Sequence, residues 1–417
     1  MELRDYQKEI SDKACSLLQQ HNIAYLSMQM RTGKTITAFA TAQKISYNHV
    51  LFVTKLKAIS SIEKDYRNYR PDFRLTVINF ESLHSIEITG YDLVIIDEAH
   101  SIGQFPLPAE RTKLLKKICE GKPIIYLSGT PTPESYSQLY HQFFISSFSP
   151  FKEYKSFYKW ANDYVIKKVK YMYNRQINDY SQAIKDKVDE KTKELFLSYS
   201  QADAGFTQTV VEEVLTVKMK PTTYSFAGKL ISNRIYIGRN GAEVLADTEV
   251  KLQNKLQQIY SGTVLAEDKT AIAFDHTKVI FIKQVFAGKK IAIYYKFKAE
   301  ELMIRARIGN ITTDPMEFNA SPDKTFISQI QSGREGVNLS TADAIVMLNI
   351  DFSAVSYFQV KERMQFKERS TPALLYWIFS EGGIEGKIYQ AVMNKKDYTL
   401  SYFVRDFGIK SKDSQKV

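Results

Sequence analysis

The sequence predicts an α/β fold built on a parallel, doubly wound sheet, and three observations carry that expectation. Short β-branched and aromatic runs recur between helix-forming stretches: His49 to Thr54 (HVLFVT), Thr76 to Phe80 (TVINF), Leu93 to Ile96 (LVII) and Pro123 to Leu127 (PIIYL). The LVII run ends abruptly in Asp97 and Glu98, which places two carboxylates at the C-terminal edge of the sheet, where open α/β sheets bind ligands. A further strand, Ile23 to Met28, runs through a tight loop into Gly33-Lys34-Thr35 and then into helix-forming ITAFATAQKI.

At 417 residues the chain has room for two or three domains, and 44% hydrophobic residues can fill their cores. Its formal net charge of +11 favours an anionic partner without choosing among nucleic acid, an acidic protein and a membrane surface. Two cysteines, Cys15 and Cys119, make neither a disulfide framework nor a zinc cluster. The first residues, MELRDYQKEI, are charged, and no window holds the roughly 18 apolar residues of a membrane span. The expectation is a soluble, intracellular protein without a membrane segment.

In chain order, Leu3 to Gln7 (LRDYQ) leads into a helix running to about Gln20. The loop Met28 to Thr35 (MQMRTGKT) has the strand–loop–helix context that wraps phosphates with backbone N–H groups, with Lys34 as a point charge and Thr35 as a metal ligand. It departs from the usual pattern in carrying Met28 where a glycine is expected, and Arg31 where a small residue is common. Asp97 is placed to hold magnesium, usually through water, and Glu98 to orient and deprotonate the water that attacks a phosphoryl group. The fourth strand opens into Ser128 to Pro133 (SGTPTP).

LRDYQ, the GKT loop, FVTKLKAI, INFESL, DEAH and LSGTP, in this order and spacing, resemble the first motor lobe of superfamily 2 helicases. The closest likeness is to the Swi/Snf-like branch and its small phage relatives. After KKIAIYYKF (Lys289 to Phe297), the stretch TFISQIQSGREGVNLSTADAIVMLNIDFSAVSYFQVKERMQFKER resembles the second-lobe core, and Gly382 to Lys396 resembles the Swi/Snf helix that braces the lobes. The implied architecture is two RecA-like parallel-sheet lobes with a mainly helical insertion. Residues 1–145 would form lobe one, 146–264 the insertion, 265–400 lobe two and 401–417 a tail.

The resemblance also implies roles, position by position. Gln7 would read the adenine edge of ATP, while Thr32, Gly33, Lys34, Thr35 and Gly336 would line the nucleotide. Thr35 and Asp97 would hold Mg2+. Arg363, at the fifth position of the Gln359 motif, resembles the arginine that stabilises charge on the transferring phosphoryl group. Phe366 stands where a second arginine is expected, leaving Lys367 or Arg369 to substitute. Thr54, Lys55, Ser82, Ser332 and Gly333 occupy positions that bind nucleic-acid phosphates in the family, contacts that carry no sequence information. The implied activity is Mg2+-dependent ATP hydrolysis coupled to movement on duplex, forked or branched DNA. A motor subunit of a restriction or defence complex and an RNA helicase stay open as alternatives.

Two features lie outside the resemblance. Phe151 to Tyr173 combines Lys152, Lys155, Lys159, Lys167, Lys168 and Lys170 with many aromatics. Tyr154, Phe157, Tyr158, Ala161, Tyr164 and Val165 fall at helical spacing, so the stretch reads as a helix packed on lobe one with lysines outward, or as a basic element beside the DNA path. Around IYIGRNGAEVL, Asn240-Gly241 suits the turn of a small hairpin.

Overall fold

The computed structural model describes residues 2–172, 175–205, 210–238, 241–330, 339, 341–353, 357 and 373–394. The chain forms two compact units, Met1–Phe206 and Thr207–Val417. The expected sites at Ser332, Gly333, Gly336, Arg363 and Arg369 lie outside the described residues.

The first unit begins with helix α1 (Asp5–His21), strand β1 (Ile23–Met28), α2 (Lys34–Ile45), β2 (His49–Thr54), α3 (Ile59–Tyr69), β3 (Arg74–Asn79) and β4 (Leu93–Ile96). It continues through α4 (Glu110–Ile118), β5 (Ile124–Leu127), α5 (Gln138–Phe144), α6 (Phe157–Tyr164), the hairpin β6 (Lys168–Met172) and β7 (Arg175–Asp179), α7 (Lys185–Thr192) and β8 (Phe196–Tyr199). Six strands make one parallel sheet in the order β3-β2-β4-β5-β1-β8.

The LVII run shows why this sheet must be covered on both faces. Leu93 and Ile95 join the apolar cluster built with Phe39 and Ile62 of α2 and α3, whereas Val94 and Ile96 join the one built with Leu115 and Phe143 of α4 and α5. All four are fully buried, as the two-residue period of a central strand requires when both neighbours are apolar.

The second unit repeats the plan. Strand β9 (Val210–Val217) precedes α8 (Pro221–Asn233), the antiparallel pair β10 (Ile235–Ile237) and β11 (Glu243–Leu245), α9 (Glu249–Tyr260), and the antiparallel pair β12 (Thr263–Leu265) and β13 (Ala271–Ala273). Then come α10 (Thr277–Val285), β14 (Ile291–Tyr295), α11 (Lys298–Arg307), β15 (Ile311–Thr312), α12 (Pro315–Ala320), β16 (Thr325–Gln329), β17 (Ala344–Met347), β18 (Ala373–Ser380) and the helix Glu385–Met393. Its parallel sheet runs β15-β16-β14-β17-β18-β9.

The middle of the chain differs from the single helical insertion expected. Residues 146–206 belong to the first unit and close its sheet with β8, paired to β1; residues from 207 belong to the second and close its sheet with β9, paired to β18. The reason is physical: each sheet has an otherwise unpaired edge, and parallel strands from the adjoining chain satisfy its backbone groups. Helix α6 is also shorter than the expected stripe. Phe157, Trp160, Ala161 and Tyr164 point inward, Tyr158 is 45% exposed, and β-branched Val165 and Ile166 turn the chain into the β6–β7 hairpin. Lys168 and Lys170 therefore lie on a strand rather than on a helical face. The β10–β11 pair is the hairpin expected around Gly241, whose φ of 79° is the left-handed conformation a tight turn asks of glycine.

Candidate functional site

Gln7 sits in the first turn of α1, because the helix begins at Asp5, within LRDYQ rather than after it. Its Oε1 accepts from the Arg4 backbone N–H at 2.9 Å, closing the helix end, and its Nε2 lies 3.5 Å from the Gly33 carbonyl oxygen. The side chain is buried against the GKT loop. Gly33 has φ 82°, a left-handed conformation that favours glycine, and a Cβ there would fall 2.2 Å from Gln7 Nε2 and displace that amide from the loop. Tyr6 stacks on Tyr199 with ring centroids 4.4 Å apart and donates to the Thr32 carbonyl at 2.9 Å.

The loop between β1 and α2 is fastened from the edge strand as well. Gln29 N–H donates to the Tyr199 carbonyl, Gln201 N–H to Gln29 Oε1, and Gln201 Nε2 to the Met30 carbonyl at 3.0 Å. Thr32 donates to the Gln29 carbonyl. Lys34 Nζ lies inside this loop, donating to the carbonyls of Met28 at 2.8 Å and Gln29 at 3.3 Å. Among the described residues it makes no ion pair to a carboxylate. Its ammonium is thus presented by the loop at the start of α2, where backbone N–H groups and the helix dipole favour an anion. The missing motif glycine at Met28 is absorbed by β1, whose last residue it is; Arg31 takes the bend with φ 64°.

At the end of β4 the two carboxylates are treated differently. Asp97 accepts from Thr54 Oγ1 at 2.7 Å, and its own N–H donates to the Val53 carbonyl. It keeps some surface but is enclosed by protein, and that burial, reinforced by the neighbouring Glu98 charge, pushes its carboxyl up to about 6 against the opposing pull of Thr54 and Lys34. Glu98 adopts φ 49°, a left-handed conformation that costs a residue with a Cβ about 1 kcal/mol or more and turns its side chain off the strand line. That side chain is 27% exposed and lies 3.3 Å from His100 Nδ1.

His100 completes a relay to the next motif. Its Nδ1 is 3.0 Å from Ser128 Oγ, which also accepts from the Thr130 N–H at 3.2 Å. Burial holds the imidazole below its ordinary pKa, so it stays neutral and links DEAH to SGTP through hydrogen bonds. Gly129 packs on the GKT loop, with Met28 O 3.5 Å from where its Cβ would be. Ser128 and His100 were not among the expected site residues; the DEAH and SGTP letters held them, but only the adjacency of β4 and β5 brings them into contact.

The structure thus gathers Gln7, Thr32, Gly33, Lys34, Thr35, Asp97 and Glu98 on the C-terminal edge of one sheet. Thr54, expected among the nucleic-acid contacts, is 0% exposed and its hydroxyl donates to Asp97. Lys55 is half-buried beside it, and Ser82 lies in the turn after β3 that Asn79 caps, its Oδ1 accepting from the Ser82 N–H. Among the described residues no three His, Cys, Asp or Glu side chains form a metal cluster. A half-buried Thr35 hydroxyl and a carboxylate whose ionisation is disfavoured by its surroundings nevertheless suit a hydrated divalent cation.

A parallel sheet with a glycine-containing strand–loop–helix junction after its β1 and an acidic pair at the end of its β4 is an arrangement able to hold an anionic ligand and a cation at one edge. Residues 1–80 match the family model described as "Type III restriction enzyme, res subunit". The chain is 20% identical over 474 aligned residues to the chromodomain-helicase-DNA-binding protein 1 of Gallus gallus, covering 97% of this chain and spanning 27% of that relative's length. Among solved structures it is similar to the Sulfolobus solfataricus SWI2/SNF2 ATPase core in complex with dsDNA, with 15% identity, a TM-score of 0.43, and coverage of 97% of this chain and 92% of that one. No helix among the described residues is long and apolar enough to cross a membrane.

Proposed function

We propose that the chain hydrolyses ATP at the C-terminal edge of its first sheet and couples that reaction to movement on or remodelling of duplex, forked or branched DNA. The observation that carries this reading is the placement of opposite charges at one sheet edge: Lys34 donating to loop carbonyls at the start of α2, and Asp97 enclosed by protein at the end of β4, its ionisation disfavoured despite Thr54 and the nearby lysine. A magnesium-bound triphosphate would supply anionic oxygens to the lysine and a cation to the carboxylate.

In this reading the loop N–H groups and Lys34 take the β- and γ-phosphates, with the ammonium leaving the Met28 and Gln29 carbonyls for phosphate oxygens. Magnesium, when bound by Thr35 and Asp97, neutralises phosphate charge. Glu98 accepts the proton of the attacking water, and its left-handed backbone aims it away from Asp97. The Glu98–His100–Ser128 contacts orient that carboxylate and connect it to the SGTP turn. Arg363 completes the site from the second lobe, and Arg369 takes the place of the arginine lost to Phe366. Lys55, Ser82, Ser332 and Gly333 hold the DNA backbone without reading its sequence. We further propose 1–145 and 265–400 as the cores of the two motor lobes, and a bacterial or phage setting.

A second reading has a specific observation in its favour: the match of residues 1–80 to a restriction-enzyme subunit family fits a motor whose output is made by a partner. ATP turnover measured with single-stranded, duplex, forked and four-way DNA, with RNA as control, tests the proposal. DNA stimulation of the isolated chain supports it; stimulation by RNA alone, or none without an added partner protein, contradicts it.

A further inference from the structure

A cavity of about 560 Å³ opens on the first unit, far from the residues described above. It is lined by Lys113, Lys116 and Lys117 of α4 and by Lys152 and Lys155 of the segment before α6, with Glu120 as its one acid. Helix α4 leads into the start of β5, and α5, which follows β5, ends here at Phe144. Because the sheet is parallel, the cavity lies at the N-terminal edge of the strands, and Lys34, Asp97 and Glu98 lie at the C-terminal edge.

The wall between the lysines is polar in one sense only. Ser146 Oγ accepts from the Phe148 N–H, Ser147 Oγ from the Gly121 N–H, and Ser149 Oγ from the Phe151 N–H. Each hydroxyl oxygen accepts one backbone N–H and still carries an O–H that can donate. Lys113 is paired with Glu110 at 2.6 Å, and Glu120 stands beside Lys116, which leaves Lys117, Lys152 and Lys155 as the ammonium donors the cavity offers a phosphate, for which lysine serves as a point charge.

Its aromatic floor is not a stacking platform. Tyr140 and Phe151 are buried in the core, and Lys116 Nζ sits 3.5 Å from the centroid of the Phe144 ring. Tyr154 is tied to Asp163 at 2.8 Å. Bases would find no open ring face of the kind single-strand binding uses. Phosphate groups would find donors.

We infer that this cavity is a second anion site that takes consecutive phosphates, with a nucleic-acid backbone or a free polyphosphate as the source of that chemistry. The nucleic-acid arm rests on the DNA reading above; the free-phosphate arm does not. On DNA the site would hold a stretch of duplex on the side of the lobe away from the ATP loop and so strengthen retention without altering the hydrolytic residues.

The test uses the full chain with Lys117→Gln, Lys152→Gln and Lys155→Gln combined, beside a charge-matched control carrying Lys229→Gln, Lys251→Gln and Lys269→Gln on exposed positions of the second unit. Affinity for a fluorescein-labelled 40-base-pair duplex is measured from 50 to 300 mM salt, and binding of inorganic tripolyphosphate and of poly-glutamate by calorimetry. The site variant should flatten the slope of log affinity against log salt by about 2 to 3 while the control leaves it near wild type. Loss of tripolyphosphate binding with an unchanged DNA slope assigns the site to free polyphosphate. A wild type that binds tripolyphosphate through these lysines but no DNA sinks the DNA reading and keeps the site. Equal effects in variant and control, no effect on either phosphate ligand, or equally strong capture of poly-glutamate would overturn the inference.

Discussion

The C-terminal edges of the two sheets use the same scaffold and end in different electrostatic states. Among the described residues of the second unit, the acids Glu300 and Asp351 are satisfied internally. Glu300 accepts from the Lys296 and Phe297 N–H groups and from Asn349 Nδ2 at 2.6 Å, and Asp351 pairs with Lys296 at 3.5 Å. Gln257 joins the set, donating to Asn349 and accepting from Lys296. In the first unit Asp97 accepts from the Thr54 hydroxyl and the Glu98 N–H and feels the like charge of Glu98 against the weaker pull of Lys34, whose ammonium donates to carbonyls rather than to a carboxylate. A parallel sheet supplies the location for chemistry, but the edge becomes a site where charge is left for a ligand to compensate.

The largest effect expected of any single change is at Lys34. Lys34→Ala should abolish ATP turnover while thermal melting stays near wild type, since the ammonium touches the loop and not the core. Retained turnover would erase the distinction between the two edges. Next comes Arg363, proposed to serve the first edge from the second lobe: Arg363→Ala should lower turnover on the order of 10³-fold in steady-state kinetics, with little change in ATP affinity. An equal loss in Arg369→Ala would show both arginines acting.

The second unit supplies the converse case of a compensated buried acid. Lys278 Nζ lies 2.6 Å from Glu385 Oε1 with both side chains fully buried, joining α10 to the helix Glu385–Met393. Lys278→Met strands that carboxylate and should cost about 3–5 kcal/mol by urea denaturation, most of it recovered when Glu385→Leu is added. No recovery would mean the pair matters for packing alone.

The smallest expected effect concerns pH. The Asp97 carboxyl is raised from its usual value near 3.8 to about 6, so the fold favours the protonated form. The stability this contributes is fully present below about pH 4 and is lost as pH rises through 6. Asp97→Asn should therefore melt higher than wild type at pH 7 to 8 without magnesium, with the difference fading toward pH 4. A difference independent of pH would contradict the origin proposed for it.

Much of the first unit could be read from letters. HVLFVT, LVII and PIIYL are buried strands because each carries apolar side chains on both faces, and the GKT loop is placed by the strand and helix around it. What sequence could not give was long-range pairing. Nothing in FLSY or VVEEVLTV announces that one closes the first sheet and the other the second, since Phe196–Tyr199 and Val210–Val217 are only partly buried edge strands whose partners lie far away in the chain. The same holds for Thr54, which reads as a strand-end hydroxyl facing out until the register of β2 against β4 brings it to Asp97. In Phe151 to Tyr173 the aromatics are core, as their helical spacing allowed, but the hairpin that ends the helix depends on tertiary pairing and moved Lys168 and Lys170 off its face.

The most direct test of the claim that the first edge is a hydrolytic site is Glu98→Gln, with ATP binding and DNA-stimulated turnover measured on the same preparation in the presence of magnesium. The amide keeps the shape and the reach toward His100 but loses the base, so binding should match wild type while turnover falls by about 10² to 10⁴-fold. Undiminished turnover, or loss of ATP binding along with it, would contradict the role assigned to this carboxylate.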